Sequence, residues 1–205
     1  MSTTKTNLSI VLDLDETLLH TITNVKSLIK MNILGNPNKL GVRERLYIIN
    51  MNDGNNMWGI YRPHLREFIN FCFDYFKHVC VWSAGSYEYV HKIVHKIFSG
   101  INKPHIVYTR NDMKIVAGEM RKPLSHLMVG CMNSKNTLIL EDRYKSFSVT
   151  DPNNGLLIPA YLPSSDLLGV MEEDNHLEAL ILWLSSDKIS HCSDIREVDK
   201  ISLFV

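Results

Sequence analysis

Residues 8–20 read LSIVLDLDETLLH, an apolar run followed at once by acidic side chains at positions 13 and 15. The run predicts a buried β-strand with Asp13 and Asp15 at its carboxyl end. Successive side chains of a strand point to opposite faces, but a chain that turns at the strand end can bring both carboxylates to one mouth. Two carboxylates so placed repel each other unless a cation lies between them. This segment therefore predicts a cation site where the first strand ends.

The rest of the chain alternates short apolar runs with stretches of helical periodicity. Further strands are predicted at 78–82, 105–108, 137–140 and 156–158, and helices after Pro63, Ser86, Pro123 and residue 172. Strands that alternate with helices favour an α/β fold with a parallel sheet covered on both faces. Ligands of such sheets bind beyond the carboxyl ends of the strands. The polar residues that fall there are Asp13, Asp15, Ser83, Glu141 and Asp142.

Two of the predicted elements are short. Pro123 is expected to open a helix with Leu124, Leu127, Met128 and Cys131 on its apolar face. A second C-terminal helix is expected near 194–201, after a longer one that begins at 172–174.

Residues 24–61 break the alternation. Turn signals occupy 35–38 and 52–56, and the runs 47–51 and 57–61 flank the second turn as a hairpin would. We interpret 24–61 as a small antiparallel insertion above the site. Its apolar side chains Trp58, Ile60 and Tyr61 either line a pocket for an apolar substrate residue or pack the insertion on the core.

Composition bounds the class of protein. Lys and Arg number 22, as do Asp and Glu, so nothing indicates direct binding to nucleic acid or membrane. Residues 1–7 are polar, and no apolar run approaches the ~18 residues of a membrane span. The four cysteines form no Cys-x-x-Cys pair, which is typical of reduced thiols. We expect residues 1–205 to form one intracellular domain, nuclear or cytoplasmic, of undetermined oligomeric state.

The segment DLDETLLH at 13–20 resembles the opening motif of the small C-terminal-domain phosphatases. That family belongs to the haloacid dehalogenase superfamily and acts on the repeated tail of RNA polymerase II. Further motifs similar to the family's follow in order: YRPHLREFI at 61–69, WSAG at 82–85, Lys122 before Pro-Leu-Ser, and LILED at 138–142. The resemblance covers residues 8–186 and implies a Rossmann-like haloacid dehalogenase core.

The resemblance also implies catalytic roles. Asp13 would attack phosphorus and carry an aspartyl-phosphate, while Asp15 would protonate the leaving oxygen and later take a proton from water. Ser83 would donate a hydrogen bond to the phosphoryl oxygens, and Lys122 would offset their charge. The amide of Thr17 could face the phosphate.

The same resemblance implies a magnesium ion held by Asp13, the main-chain carbonyl of Asp15, and Asp142. The family has Asp followed by Asn or Asp in its last motif, whereas this chain has Glu141-Asp142. We favour Asp142 as the ligand, with Glu141 either supporting the metal site from behind or capping a helix. Arg110 either contacts substrate or is a solvated arginine.

Together these inferences predict a magnesium-dependent protein serine/threonine phosphatase acting on the RNA polymerase II C-terminal domain or a similar phosphopeptide. One alternative is the same chemistry on another phosphoprotein or a small phosphate ester. Another is a catalytically silent scaffold or binding module of the same fold, against which the intact Asp13, Asp15, Lys122 and Asp142 argue.

Overall fold

The computed structural model describes residues 5–22, 29, 40–163 and 174–204. Its strands, in chain order, are β1 (Ser9–Leu12), β2 (Leu19–Ile22), β3 (Leu46–Asn50), β4 (Asn56–Tyr61), β5 (His78–Trp82), β6 (Ile106–Tyr108), β7 (Lys114–Val116), β8 (Glu119–Arg121), β9 (Thr137–Glu141) and β10 (Gly155–Leu157). The α-helices are α1 (Leu40–Glu44), α2 (Leu65–Tyr75), α3 (Tyr87–Ile97), α4 (His176–Leu184) and α5 (Asp187–Ser190).

A five-stranded parallel sheet forms the centre of the fold, in the order β10-β9-β1-β5-β6. All residues of β1 and β9 are buried, as expected for strands covered on both faces. Alternate residues of β1 pack into two hydrophobic clusters, one on each face of the sheet. Ile10 and Leu12 pack with α2, α3 and α4, while Val11 packs with Leu124 and Phe147 on the other face. The predicted parallel sheet flanked by helices is confirmed.

A three-stranded antiparallel sheet, in the order β2-β4-β3, follows the first motif. The β3–β4 hairpin confirms the prediction for 47–61. The sheet begins earlier than predicted, because residues 19–22 of the acidic motif form β2 and pair with β4. Residues 23–28 and 30–39 of the predicted insertion lie outside the described residues.

Two predicted short helices are of the 3-10 type and shorter than expected. The segment after Pro123 forms a 3-10 helix at Leu124–His126, and Cys131 is exposed rather than part of an apolar face. Gly130 adopts a left-handed conformation with φ of 59°, which a right-handed helix through Cys131 would not allow.

The C-terminal segment differs in the same way. Residues 194–201 contain 3-10 helices at Ile195–Glu197 and Ile201–Phe204, and α5 lies before them. Of the predicted start of α4, residues 172–173 lie outside the described residues, and Asp174 precedes the helix. Within the described segments, no helix combines the length and apolar character needed to cross a membrane.

Candidate active site

The carboxyl ends of three neighbouring strands bring the acidic motifs together. Asp13 follows β1, Ser83 follows β5, and Glu141 ends β9 with Asp142 next to it. The chain beyond these ends encloses a cavity of about 700 Å³, whose lining includes Asp13, Asp15, Lys122, Glu141 and Asp142. The edge of the sheet predicted to hold the site is therefore the edge where these side chains meet.

A tight turn after β1 places the two aspartates. The Leu14 carbonyl accepts hydrogen bonds from the amides of Thr17, Leu18 and Leu19, at 3.3, 2.8 and 3.2 Å. Glu16 adopts a left-handed conformation with φ of 63°. The Thr17 amide donates inside this turn, and its expected contact with phosphate stays a prediction.

The Thr17 hydroxyl instead joins the ends of β1 and β9. Its Oγ1 lies 3.0 Å from Asp13 Oδ2 and 3.3 Å from Asp142 Oδ1. The same oxygen accepts the Asp142 backbone N–H at 3.1 Å. Thr17 is fully buried, so this one hydroxyl holds two acidic side chains in register.

A buried arginine stabilises the turn that contains Thr17. Arg62 is 1% exposed, and its guanidinium donates to the Thr17 and Pro159 carbonyls and to Asp174 Oδ1, each at 2.9 Å. Sequence reasoning placed Arg62 within a motif but assigned it no role. Through these contacts Arg62 links the turn at Thr17 with residue 159 and with the segment before α4.

Lys122 bridges two carboxylates inside the cavity. It follows β8, and its Nζ lies 2.5 Å from Asp13 Oδ1 and 2.6 Å from Glu141 Oε2. Both Lys122 and Glu141 are 1% exposed. Burial opposes the charge of Lys122, yet the negative charges of Asp13 and Glu141 raise its pKa above the ordinary value. The lysine is therefore cationic and orients Asp13.

Three carboxylates form a cluster with the chemistry of a divalent-cation site. Carboxylate oxygens of Asp13, Glu141 and Asp142 lie within 4.8 Å of one another. Burial, and then the charge of Asp13, raise the pKa of Glu141 to about 7 and that of Asp142 to about 6. These hard oxygen donors fit a divalent cation, which would relieve the repulsion that raises both pKa values.

Asp15 lies in a different environment. Its Oδ1 accepts hydrogen bonds from the Tyr89 hydroxyl and, at 3.2 Å, from the Thr21 hydroxyl, while Ser83 Oγ lies 3.4 Å from Oδ2. Burial, together with the charges of Asp13 and Glu16, raises the pKa of Asp15 above its ordinary value although the hydroxyl donors lower it. A carboxyl that holds its proton more tightly is suited to donate one.

The remaining predicted residues divide into two groups. Arg110 is exposed at the cavity rim, where its Nε donates to the Ala84 carbonyl at 2.7 Å. Trp58, Ile60 and Tyr61 are not among the side chains that line the cavity. Ile60 is 1% exposed in a small apolar cluster that Trp58 packs against, and Tyr61 packs against the main core. Their role as substrate contacts stays a prediction.

The two alternatives for Glu141 are separated by its surroundings. It is the last residue of β9, and the N-cap position of the following 3-10 helix at Tyr144–Ser146 is Arg143, not Glu141. Glu141 contacts Lys122 rather than a helix end. Sequence reasoning missed other side chains that line the cavity, and for these the sequence carries no motif: Met113, Glu119, Met120, Arg143 and Lys145.

Comparisons with known proteins agree with this geometry. A family model described as NLI interacting factor-like phosphatase matches residues 8–196. A search of the curated proteins found no match.

Two solved structures are similar in fold. One is fission yeast RNA polymerase II CTD phosphatase Fcp1, an arginine-to-alanine variant bound to beryllium fluoride, with a TM-score of 0.62 and 17% identity over 86% of this chain. The other is Fcp1, an essential RNA polymerase II CTD phosphatase, with a TM-score of 0.61 and 16% identity over 95% of this chain. The matches cover 49% and 59% of those two chains. At this identity the likeness shows the fold, which is of the haloacid dehalogenase type.

Proposed function

The chain belongs to the family of NLI interacting factor-like phosphatases, and from this premise we propose that it is a magnesium-dependent protein serine/threonine phosphatase. The observation that carries the proposal is the contrast between two neighbouring aspartates. Asp13 is paired with the cationic Lys122, whereas Asp15 is surrounded by hydroxyl groups and has a raised pKa. One is prepared to act as a nucleophile and the other to transfer a proton.

In the first step a carboxylate oxygen of Asp13 forms a bond to phosphorus. The bond between phosphorus and the serine or threonine oxygen breaks, and its electron pair goes to that oxygen. The Asp15 carboxyl gives its proton to the same oxygen, so a neutral alcohol leaves. Lys122 stabilises the negative charge that the phosphoryl group brings beside Asp13.

In the second step water attacks the phosphorus of the aspartyl-phosphate. Asp15, now a carboxylate, takes a proton from the water as the new bond forms. The bond between phosphorus and Asp13 breaks, which releases inorganic phosphate and restores both aspartates. Ser83, 1% exposed at the end of β5, supplies a hydroxyl donor beside Asp15 for the phosphoryl oxygens.

The magnesium ion would be held by Asp13, Asp142 and the main-chain carbonyl of Asp15. Glu141 would lie beside these ligands without binding the ion directly. When bound, the ion supplies positive charge that reduces repulsion between the phosphate and the attacking carboxylate. The close spacing of carboxylate oxygens in the three-carboxylate cluster supports Asp13 and Asp142 as ligands.

We propose a phosphorylated peptide segment as substrate, with the RNA polymerase II C-terminal domain as the first candidate. The cavity is much larger than a phosphoryl group, and beyond the acidic residues it offers Arg110, Met113, Met120 and Arg143 to flanking residues of a substrate. The two structural neighbours are described as phosphatases of that polymerase domain. Another phosphoprotein or a small phosphate ester is the competing substrate class.

The test compares the wild-type protein with Asp13→Asn on a panel of phosphoserine peptides and on 4-nitrophenyl phosphate. We expect phosphate release that requires Mg²⁺ and is lost in Asp13→Asn, and the exposed turn variant Asp53→Asn should match the wild type. Crystals grown with beryllium fluoride should show it bound to Asp13. Turnover in EDTA, or an active Asp13→Asn variant, would contradict the mechanism. Equal rates on every peptide would favour the small-ester alternative.

A further inference from the structure

We propose that the antiparallel sheet and the first turn of α3 together position the proton-transfer residue. Tyr89 and Thr21 hold Asp15 through Oδ1, which leaves Oδ2 as the oxygen that carries and delivers the proton. This inference rests on the proposed function, because it presumes that Asp15 protonates the leaving group.

The two carboxyl oxygens of Asp15 have unequal partners. Oδ1 accepts from both the Tyr89 and the Thr21 hydroxyl groups. An oxygen that accepts two hydrogen bonds is a poor place for a proton, since donors favour the unprotonated acceptor. Oδ2 has one neighbouring hydroxyl, Ser83 Oγ at 3.4 Å, which is longer than an ordinary O–H···O bond. The proton is therefore held on Oδ2.

The hydroxyl groups of Tyr47, Thr21 and Tyr89 form a hydrogen-bonded network beside Asp15, in which the Tyr89 hydroxyl also contacts Thr21 Oγ1. Tyr47 OH lies 3.0 Å from Thr21 Oγ1 and can donate to it, while Thr21 donates its own proton to Asp15. Tyr89 donates directly to the same Asp15 oxygen. Tyr89 and Tyr47 are 7% and 4% exposed, and burial raises the pKa of both hydroxyls, so they remain donors at neutral pH.

Two glycines leave room for the two tyrosine rings. Tyr47 on β3 is paired directly with Gly59 on β4, and a Cβ atom at Gly59 would lie 2.1 Å from the Tyr47 ring. A Cβ atom at Gly85 would lie 2.7 Å from Tyr89 Cδ1. Contacts this close are not tolerated by packed side chains. Glycine at these two positions therefore leaves space for the rings of Tyr47 and Tyr89.

In this arrangement the antiparallel sheet helps to position Asp15. Thr21 belongs to β2 and Tyr47 to β3, so this sheet supplies two of the three hydroxyl groups. Tyr89, from the helix after the second motif, supplies the rest. They act through Asp15 and are positioning residues.

The experiment removes one hydroxyl and compares two leaving groups. A serine oxygen needs a proton as it leaves, whereas 4-nitrophenolate is stable without one. We expect Tyr89→Phe to slow formation of the phosphoenzyme from a phosphoserine peptide about tenfold, a fraction of the roughly 10²–10⁴-fold that a general acid contributes. The same step with 4-nitrophenyl phosphate should change less than about twofold, and the peptide concentration that half-saturates the first turnover should be unchanged, because the loss affects proton transfer alone. Rapid-quench measurements of the first turnover give these rates.

Tyr75→Phe is the matched control. Its hydroxyl donates to the Leu184 carbonyl at 2.6 Å, away from the cavity, so the same chemical change should leave both first-turnover rates at the wild-type value. Thr21→Val removes the second donor to Oδ1 with little change of shape, and it should show the same dependence on the leaving group. If Tyr89→Phe fails to fold, Thr21→Val still tests whether these hydroxyl groups position Asp15.

Equal slowing of both substrates, or no slowing of either, in Tyr89→Phe and Thr21→Val would overturn the inference. Failure of the proposed function looks different, since the wild-type protein would then release no phosphate from the phosphoserine peptide.

Discussion

Replacing Glu141 by glutamine is expected to flatten the pH dependence of stability of the metal-free protein. Burial, and then the charge of Asp13, raise the pKa of Glu141 from 4.5 to about 7. The folded protein therefore keeps a proton on Glu141 at pH values where the unfolded chain has lost it. The stabilising contribution is complete below pH 4.5 and is lost as pH rises through about 7, so the free energy of unfolding falls across this window.

The size of the effect follows from the same two values. At about 1.4 kcal/mol per pKa unit, the gap between 4.5 and about 7 corresponds to about 3 kcal/mol, most of it lost between pH 5 and pH 7. Glutamine has no proton to lose and retains a side-chain oxygen for Lys122. Between pH 5 and pH 8, Glu141→Gln should lose about 2–3 kcal/mol less stability than the wild type.

Denaturant unfolding in EDTA at pH 5, 6, 7 and 8 measures this difference. Comparing variants cancels the contributions of titrating groups that do not interact with Glu141. Glu119→Gln is the control, because Glu119 is an exposed glutamate at the rim and should leave the wild-type pH dependence intact. Saturating Mg²⁺ should reduce the wild-type loss, since a cation binds the ionised carboxylates of the folded protein. The same pH dependence in Glu141→Gln and wild type would refute the reasoning.

Three further outcomes are expected. Arg62→Met should destabilise the protein by about 3–5 kcal/mol in denaturant unfolding, because it leaves Asp174 and two backbone carbonyls without their buried donor. Lys122→Met should reduce kcat on a phosphopeptide by about 10²-fold or more, measured by phosphate release, since it removes the buried cation of the cavity. Gly85→Ala should lower stability by about 1–3 kcal/mol in thermal unfolding, because the added methyl meets the Tyr89 ring.

Controls exist for these variants. Arg66→Met removes an exposed arginine on α2 that bonds the Ser99 carbonyl, and it should change stability far less than Arg62→Met. An Arg62 variant as stable as the wild type would show that its three hydrogen bonds contribute little. A Lys122→Met variant with wild-type kcat, or a Gly85→Ala variant with a higher melting temperature, would contradict the other two expectations.

The central sheet could be predicted because its strands are buried on both faces. Such strands read as short continuous apolar runs, and the runs at 8–12, 78–82 and 137–140 match β1, β5 and β9 within one residue. The helix expected after Pro123 shows where periodicity fails. Its apolar spacing suits a helix, but Gly130 adopts a left-handed conformation with φ of 59°, which interrupts a helix before Cys131.

The β7–β8 hairpin was not predicted from the sequence. Its turn is made by Ala117 and Gly118, with φ of 52° and 78°, and alanine gives no turn signal there. The hairpin matters for the site because β8 delivers Lys122 to the cavity. The lysine itself was assigned through a family motif, since no property of a single lysine distinguishes a buried catalytic position from a solvated one.

The sequence was sufficient to locate two acidic pairs, at 13 and 15 and at 141 and 142. Each pair lies at the end of a strand that can be recognised as an apolar run. Parallel strands end at one edge, so linear order was sufficient to place these carboxylates together. The surroundings that distinguish Asp13 from Asp15 were not visible. Lys122 lies 109 positions from Asp13, and Tyr89 lies 74 positions from Asp15. Such pairs meet through the folding of separate elements, and burial among those neighbours, rather than residue type, gives the two aspartates different chemistry.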